Sequence, residues 1–342
     1  MSSLAAPQAD RGALLEIDRL RVQIPVGGRL RTVIHEATLE IARGEAVGLV
    51  GESGSGKSMT ARAIMRLLPP RSVTSGSIRF AGESVLDMGR GALRNLRASQ
   101  VGMIYQDPRA HINPVRSNGD FLLEAMLAQG VRPAAARERV IDLLAQVGIG
   151  DGGRRLRQYP HQLSGGLLQR IMIAAALATS PRLLLADEPT TALDVTTQSE
   201  VMAILAELRA GRGLAMLFIT HDLDLAAAVT DRMAVMYAGM IVEIGTSATV
   251  HETALHPYTV GLLRSRPEVG ARARIQVIPG RPASAFEAGP GCVFAARCPY
   301  VTDRCRAERP QLRPVDQQLV ACHRAEELKG RVFFTAEALA HD

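Results

Sequence analysis

The sequence predicts an α/β fold, and three observations carry that reading. Glu45-Ala46-Val47-Gly48-Leu49-Val50 reads as a buried strand that runs into Gly51-Glu52-Ser53-Gly54-Ser55-Gly56-Lys57-Ser58, after which Ser58 to Leu68 reads as a helix ended by Pro69-Pro70. Two further apolar strands end on chemistry-bearing residues: Leu183-Leu184-Leu185-Ala186 on Asp187-Glu188, and Leu214 to Thr220 on His221. From about His251 the composition changes to a loop-rich, arginine-rich tail holding all four cysteines. Ligands of α/β sheets bind outside the carboxyl ends of the strands, so the strand ends should converge on one site.

The chain has 342 residues, which suits one large domain plus a small one, and its 47% hydrophobic content is ample for a core. The longest apolar stretches fall well short of a membrane span, and Met1-Ser2-Ser3-Leu4 lacks a signal-peptide pattern. A cytoplasmic chain that docks on other subunits is expected. The formal charge is +6, but the arginines are dispersed and aromatics make up 4%, which argues against nucleic-acid binding.

In chain order, residues 1–13 are expected to form a flexible lead. Residues 14 to about 107 should carry the first antiparallel strands and the nucleotide-binding core. Residues 108 to about 163 should be helical, on the periodicity of Phe121 to Leu127 and Val140 to Leu144. Residues 164 to 250 return to the core, and 251–342 form the tail.

The pattern G-x-x-x-x-G-K-S has a specific chemistry. Its glycines let backbone N–H groups turn inward around phosphate, helped by the positive end of the next helix. Gly51, Ser53, Gly54, Ser55 and Gly56 form the cradle, Lys57 reaches the β/γ oxygens, and the Ser58 hydroxyl suits Mg²⁺. Only Lys57 and Lys329 among the 40 basic residues are lysines, and a compact ammonium fits a phosphate loop better than a guanidinium fork. A chance match in a chain this long is about a one-in-a-hundred event, so a plain glycine turn is the weaker reading. Asp187 is placed to hold the metal, Glu188 to polarise the attacking water, and His221 to contact the γ-phosphate.

One more motif decides the family. Leu163-Ser164-Gly165-Gly166 lies between the phosphate loop and the acidic strand end and precedes a helix expected near Leu167. With it, the chain resembles the nucleotide-binding subunit of an ATP-binding-cassette (ABC) protein. The resemblance implies a P-loop NTPase with a RecA-like core, an antiparallel β subdomain and a helical subdomain. It implies ATP and Mg²⁺ as ligands, and a second subunit whose Ser164-Gly165-Gly166 closes on the γ-phosphate. Gln106 resembles the Q-loop glutamine, a contact to metal and water. Thr191-Ala192-Leu193-Asp194 resembles the D-loop, with Asp194 near the second nucleotide. Two positions depart from the common pattern. Leu167 stands where the signature usually has Gln, and no aromatic precedes Phe80 to stack on adenine, which leaves Ile24 or Val26 as an apolar platform.

The tail carries Cys292, Cys298, Cys305 and Cys322, followed by His323. Thiols clustered in a cytoplasmic chain favour metal over disulfides, yet the paired C-x2-C of common zinc sites is absent. A four-iron cluster, zinc and free thiols all stay open, with four thiolates suiting the cluster. Gly291-Cys292-Val293-Phe294, Arg297-Cys298-Pro299-Tyr300 and Ala321-Cys322-His323 resemble the extension of oligopeptide/dipeptide/nickel importer ATPases. That resemblance implies a [4Fe–4S] cluster in some members, two permease subunits, a second ATPase subunit and a solute-binding protein. It implies a place at the cytoplasmic face of the membrane, and ATP hydrolysis that energises import of peptides or a similar solute. The alternatives are a non-transport cassette of the repair, ribosome or iron–sulfur-assembly type, and a cassette that binds ATP without turning it over. The short gap between loop and signature, the single cassette and the cysteine tail weigh against the non-transport types. Glu188 and His221 weigh against the silent cassette.

Overall fold

The computed structural model describes residues 12–191, 193–265, 277–332 and 334. Most of the expected lead, and Ala192 of the D-loop, lie outside the described residues. In chain order the strands are β1 (Ala13–Val26), β2 (Arg29–Ala42), β3 (Ala46–Val50), β4 (Val73–Phe80), β5 (Glu83–Ser84) and β6 (Val101–Ile104). Then follow β7 (Leu183–Asp187), β8 (Ala215–Thr220), β9 (Arg232–Tyr237), β10 (Met240–Thr246), β11 (Arg313–Val315) and β12 (Gln318–Val320).

They line up in the order β5-β4-β1-β2-β10-β9-β3-β8-β7-β6. The strands β6, β7, β8, β3 and β9 run parallel. Every residue of β3, β7 and β8 is buried, as a parallel sheet covered on both faces requires. The other end, β5-β4-β1-β2, is antiparallel. In β1 Leu14, Leu15, Ile17, Leu20 and Val22 are buried while Asp18, Arg19 and Arg21 are exposed, so from Ile17 onward one side is covered and the other meets solvent. A register shift between Ile17 and Leu20, with Arg19 at φ 44°, bends this strand around the core.

The helical stretch consists of Pro108–His111, Asn118–Ala128, Pro133–Gln146 and Gly152–Arg155. Ser117 and Asp120 form a reciprocal cap on the second helix, and Pro133 opens the third. Their apolar faces (Leu122, Met126, Val140, Leu144) pack on Ile171 and Met172 of helix Gly165–Leu177.

Two helix boundaries differ from expectation. The helix after the phosphate loop spans Lys57–Ile64 and stops before the prolines, because Arg66 takes φ 48° and Leu67 N–H returns to Arg62 O at 2.7 Å. The helix expected near Leu167 begins at Gly165, because the Ser164 hydroxyl accepts the Leu167 N–H.

The tail is joined to the main sheet rather than set apart. β12 pairs with both β10 and β11, a hairpin that the loop-rich composition hid. Tyr237 of β9, Tyr258 of helix Pro257–Arg264 and Phe294 of the tail form an aromatic triangle with centroids 4.5–5.4 Å apart.

Candidate active site

The phosphate loop follows β3 and wraps the start of helix Lys57–Ile64, with its side fixed by β9. A Cβ on Gly51 would lie 2.1 Å from Met236 O, so only glycine lets the loop pass there. Lys57 is almost fully buried, and its ammonium donates to Gly51 O at 2.7 Å and Glu52 O at 3.0 Å. Burial pulls its pKa down, opposed by the nearby Glu188, Asp187 and Glu52 carboxylates. A buried ammonium in a loop of inward amides is a ready anion partner.

The strand ends do converge. Ser58 Oγ donates to Asp187 Oδ1 at 2.9 Å. Burial pushes the Asp187 carboxyl up, and the Ser58 hydrogen bond pulls it back. Gln106 Nε2 donates to Glu188 Oε2 at 3.0 Å, and His221 Nδ1 stands 3.5 Å from the same oxygen. The ends of β3, β6, β7 and β8 thus supply Lys57 and Ser58, Gln106, Asp187 and Glu188, and His221. Glu188 lies at φ 46°, a strained backbone for a residue with a Cβ, and its N–H is held by Ile219 O at 2.9 Å. Its carboxylate meets Gln106, Thr191 and His221.

No group of three or more His, Cys, Asp or Glu converges as a metal cage among the described residues. Mg²⁺ takes one or two carboxylates plus substrate phosphates and keeps its waters. Ser58 and Asp187 supply hard oxygen donors of that kind.

Sequence reasoning missed two groups here. The Thr191 hydroxyl donates to Glu188 Oε2 at 2.8 Å. Its place three residues after Glu188 was a local signal. Arg297 of the tail pairs with Glu52 at 2.8 Å, and nothing local announced it.

The signature residues sit apart from this cluster. Ser164 and Gly165 are exposed at the N-terminus of their helix, and no hydrogen bond joins them to the loop among the described residues. Gln169, two positions after Leu167, is buried. Asp194 caps helix Val195–Arg212: its two carboxylate oxygens accept the Thr197 N–H at 2.9 Å and hydroxyl at 2.7 Å. Those bonds hold its carboxyl below the usual range. Ile24 is half-buried and Val26 is exposed; nearby, the guanidinium of Arg31, Ile24's cross-strand partner, lies 5.2 Å over the ring of Phe286 from the tail.

All four cysteines line one cavity, together with His256, Phe294, Tyr300 and Leu328. None of the four is in a disulfide. Burial pushes Cys298 up to about 12 and Cys322 to about 11, and raises Cys292 as well. A Cβ on Gly291 would fall 2.3 Å from Arg306 O, so this glycine permits the Cys292 N–H to reach Cys305 O at 2.8 Å.

With this geometry in place, comparison with known proteins is informative. The "ABC transporter" family model matches residues 34–191, and the "Oligopeptide/dipeptide transporter, C-terminal region" model matches residues 242–305. The dipeptide transport ATP-binding protein DppD of Escherichia coli is 42% identical, over 93% of this chain and 99% of that one. The chain belongs to the oligopeptide/dipeptide branch of the ABC transporter ATP-binding proteins. The oligopeptide transport ATP-binding protein OppD of Escherichia coli is 40% identical over 95% of this chain and 96% of its own length. Among solved structures, cbiO1 from Clostridium perfringens aligns at TM-score 0.60 and 27% identity, covering 70% of this chain and 90% of its own. The cassette MJ0796, as a dimer bound to ADP and Pi, aligns at TM-score 0.62 and 25% identity, covering 68% and 98%. The ABC cassette fold expected from the motif order is therefore the fold of this chain. No helix among the described residues is long and apolar enough to cross a membrane.

Proposed function

We propose that this chain is the ATP-hydrolysing subunit that energises import of di- or oligopeptides, or a similar small solute, through a membrane permease. The observation that carries it is the convergence of Gln106, Glu188 and His221 beside Ser58, Asp187 and the phosphate loop, joined to a peptide-transporter tail. Its partners are two permease subunits, a second ABC ATPase subunit and an extracytoplasmic solute-binding protein, and its place is the cytoplasmic face of the membrane.

In this reading each converging residue takes a role. Loop amides and Lys57 would bind the triphosphate, while Ser58 and Asp187 would hold Mg²⁺, which when bound would supply neutralising positive charge. Glu188 accepts a proton from the attacking water, which Gln106 and His221 orient. Ser164, Gly165, Gly166 and Asp194 of one subunit face the nucleotide of the other, which makes turnover depend on pairing. The corresponding division is a cassette at 14–250, with its helical subdomain at about 108–163, and an extension at 251–342.

The test is Glu188→Gln. Phosphate release by the assembled complex should fall by about 10²–10⁴ while ATP binding persists, a loss typical of removing a general base. The tagged variant, captured from its native membranes with ATP, should bring down permease and binding protein. Undiminished turnover refutes the catalytic assignment, and soluble ribosomal or repair partners refute transport.

A [4Fe–4S] cluster held by Cys292, Cys298, Cys305 and Cys322 is the finer part of the proposal. The donor set supports it: four thiols on one apolar cavity without a carboxylate in its lining. Backbone N–H groups also point at sulfur, as Arg324 N–H does to Cys322 Sγ at 3.4 Å. Among the described residues the thiols form no ready-made metal cage, so the cluster rests on its donor set alone. Such a group would supply either a cross-brace or an electron store. Anaerobically purified protein should carry about four irons and as many sulfides per chain. Iron-free protein whose native thiols all alkylate refutes the cluster.

A further inference from the structure

Glu52 is an awkward residue for its position. It lies inside the phosphate loop, so its carboxylate shares the neighbourhood of a triphosphate. It is also close enough to act on Lys57, whose ammonium already donates to the Glu52 carbonyl at 3.0 Å. Left alone, that carboxylate would compete with phosphate for the loop's one ammonium and repel the incoming anion.

The tail removes the conflict. Arg297 Nη1 donates to Glu52 Oε2 at 2.8 Å, and Nη2 approaches Oε1 at 3.4 Å. The two residues are 245 positions apart. The guanidinium is itself fixed, with Nε donating to Pro279 O at 2.8 Å and Nη1 reaching Tyr237 Oη at 3.4 Å. Its side chain is 6% exposed and that of Glu52 22%. The same helix that borders the cysteine cavity holds the loop from behind, because Tyr258 Oη accepts the Glu52 N–H at 2.9 Å. Both ends of Glu52, side chain and backbone, are thus gripped by residues beyond 250.

A buried ion pair is weak evidence for stability, since apolar side chains of equal volume would pack as well. What it does is select one conformation, here the one in which the carboxylate faces the Arg297 guanidinium. We propose that Arg297 is a positioning residue of the ATP site: it holds and neutralises Glu52, so that the loop and Lys57 are free for the triphosphate. The inference rests on reading residues 51–58 as the phosphate loop. It makes the extension part of the nucleotide site, with Cys298 adjacent in sequence to the residue that does the positioning.

The experiment titrates the full-length chain with a fluorescent ATP analogue plus Mg²⁺, and follows folding by near-UV circular dichroism. Arg297→Met should weaken binding about tenfold by uncovering the Glu52 charge, and Arg297→Lys should fall between it and the parent. The discriminating variant is the pair Arg297→Met with Glu52→Gln. With no carboxylate to restrain, affinity should return to within about threefold of the parent. A merely structural arginine would lower stability and leave the ATP affinity of the folded chain unchanged. Binding by folded Arg297→Met within about twofold of the parent overturns the proposal, and so does failure of the second substitution to restore it. Should Arg297→Met not fold, Glu52→Gln alone decides: it should bind as well as the parent or better, and a loss of affinity overturns the proposal. Lys57→Ala is the separate control. If it binds ATP normally, the phosphate-loop reading itself fails, independently of Arg297.

Discussion

Glu243→Gln should change the way stability depends on pH. Glu243 is wholly buried on β10, where Oε1 accepts the Leu255 N–H at 2.6 Å and Oε2 the His256 N–H at 3.1 Å. It thereby anchors the helix that presents Tyr258 to the phosphate loop. Burial pushes its carboxyl from 4.5 up to about 7, opposed by hydrogen bonds from Thr259, Leu255 and His256. Between those values the folded chain holds a proton that the unfolded chain has released. Stability from this group is therefore complete below about pH 4.5 and declines as pH rises through 7. At roughly 1.4 kcal/mol per unit the loss is about 3 kcal/mol. His256 acts oppositely: burial lowers it from 6.5 to about 3, so its contribution falls away as pH drops through that window. The two slopes offset each other between about pH 4.5 and 6.5 in the parent chain. In Glu243→Gln only the histidine slope remains, and stability should climb steeply over that interval. The assay is the thermal midpoint of parent and variant in buffers from pH 4.5 to 7.5. The comparison is of slopes, because the amide also leaves one backbone N–H without an acceptor, at a pH-independent cost of about 1–3 kcal/mol. Parallel curves for the two proteins would refute the reasoning, since folding would then leave the carboxyl's pKa unchanged.

Three further outcomes are expected. Thr191→Val removes the hydroxyl that holds Glu188 Oε2, and should lower kcat about tenfold while leaving ATP affinity unchanged; an equal change in both would show that the threonine serves binding instead. Gly51→Ala places a methyl 2.1 Å from Met236 O, so the loop must shift; ATP binding should be lost in a chain whose circular dichroism still shows the fold, and normal binding would contradict the close approach. Phe294→Ala opens a void against Tyr237 and Tyr258, and should cost about 3–5 kcal/mol measured by urea unfolding; a cost below about 1 kcal/mol would show that the tail packs loosely on the cassette.

Much of the site was legible because its residues lie on short local patterns. A strand, a glycine loop and a helix fix the place of Lys57 and Ser58 within a dozen residues. Asp187, Glu188 and His221 each end an apolar strand, and α/β sheets bring such ends together. The helices at 118–128 and 133–146 were visible in their periodicity. The N-terminal limit of the signature helix was less visible, because Ser164 caps it through a hydroxyl-to-amide bond three residues on. Tail strands β11 and β12 were invisible: three-residue strands carry no period and exist only by pairing with each other and with β10.

The sequence alone determined the chemistry: a phosphate loop, a carboxylate pair, a histidine and a second anion-binding helix start, in one order along the chain. Local backbone geometry and side-chain type suffice for that. The tertiary structure alone decided how the parts constrain one another. Glu188 takes a strained φ only because Ile219 holds its amide, and Thr191 counts only once it reaches Glu188 Oε2. Arg297 joins the ATP site only when the chain folds back across 245 positions to meet Glu52. A lone arginine in a loop carries no sign of its partner. Its burial between Tyr237 and the phosphate loop is what turns a surface charge into a fixed one, and burial is a property of the whole fold.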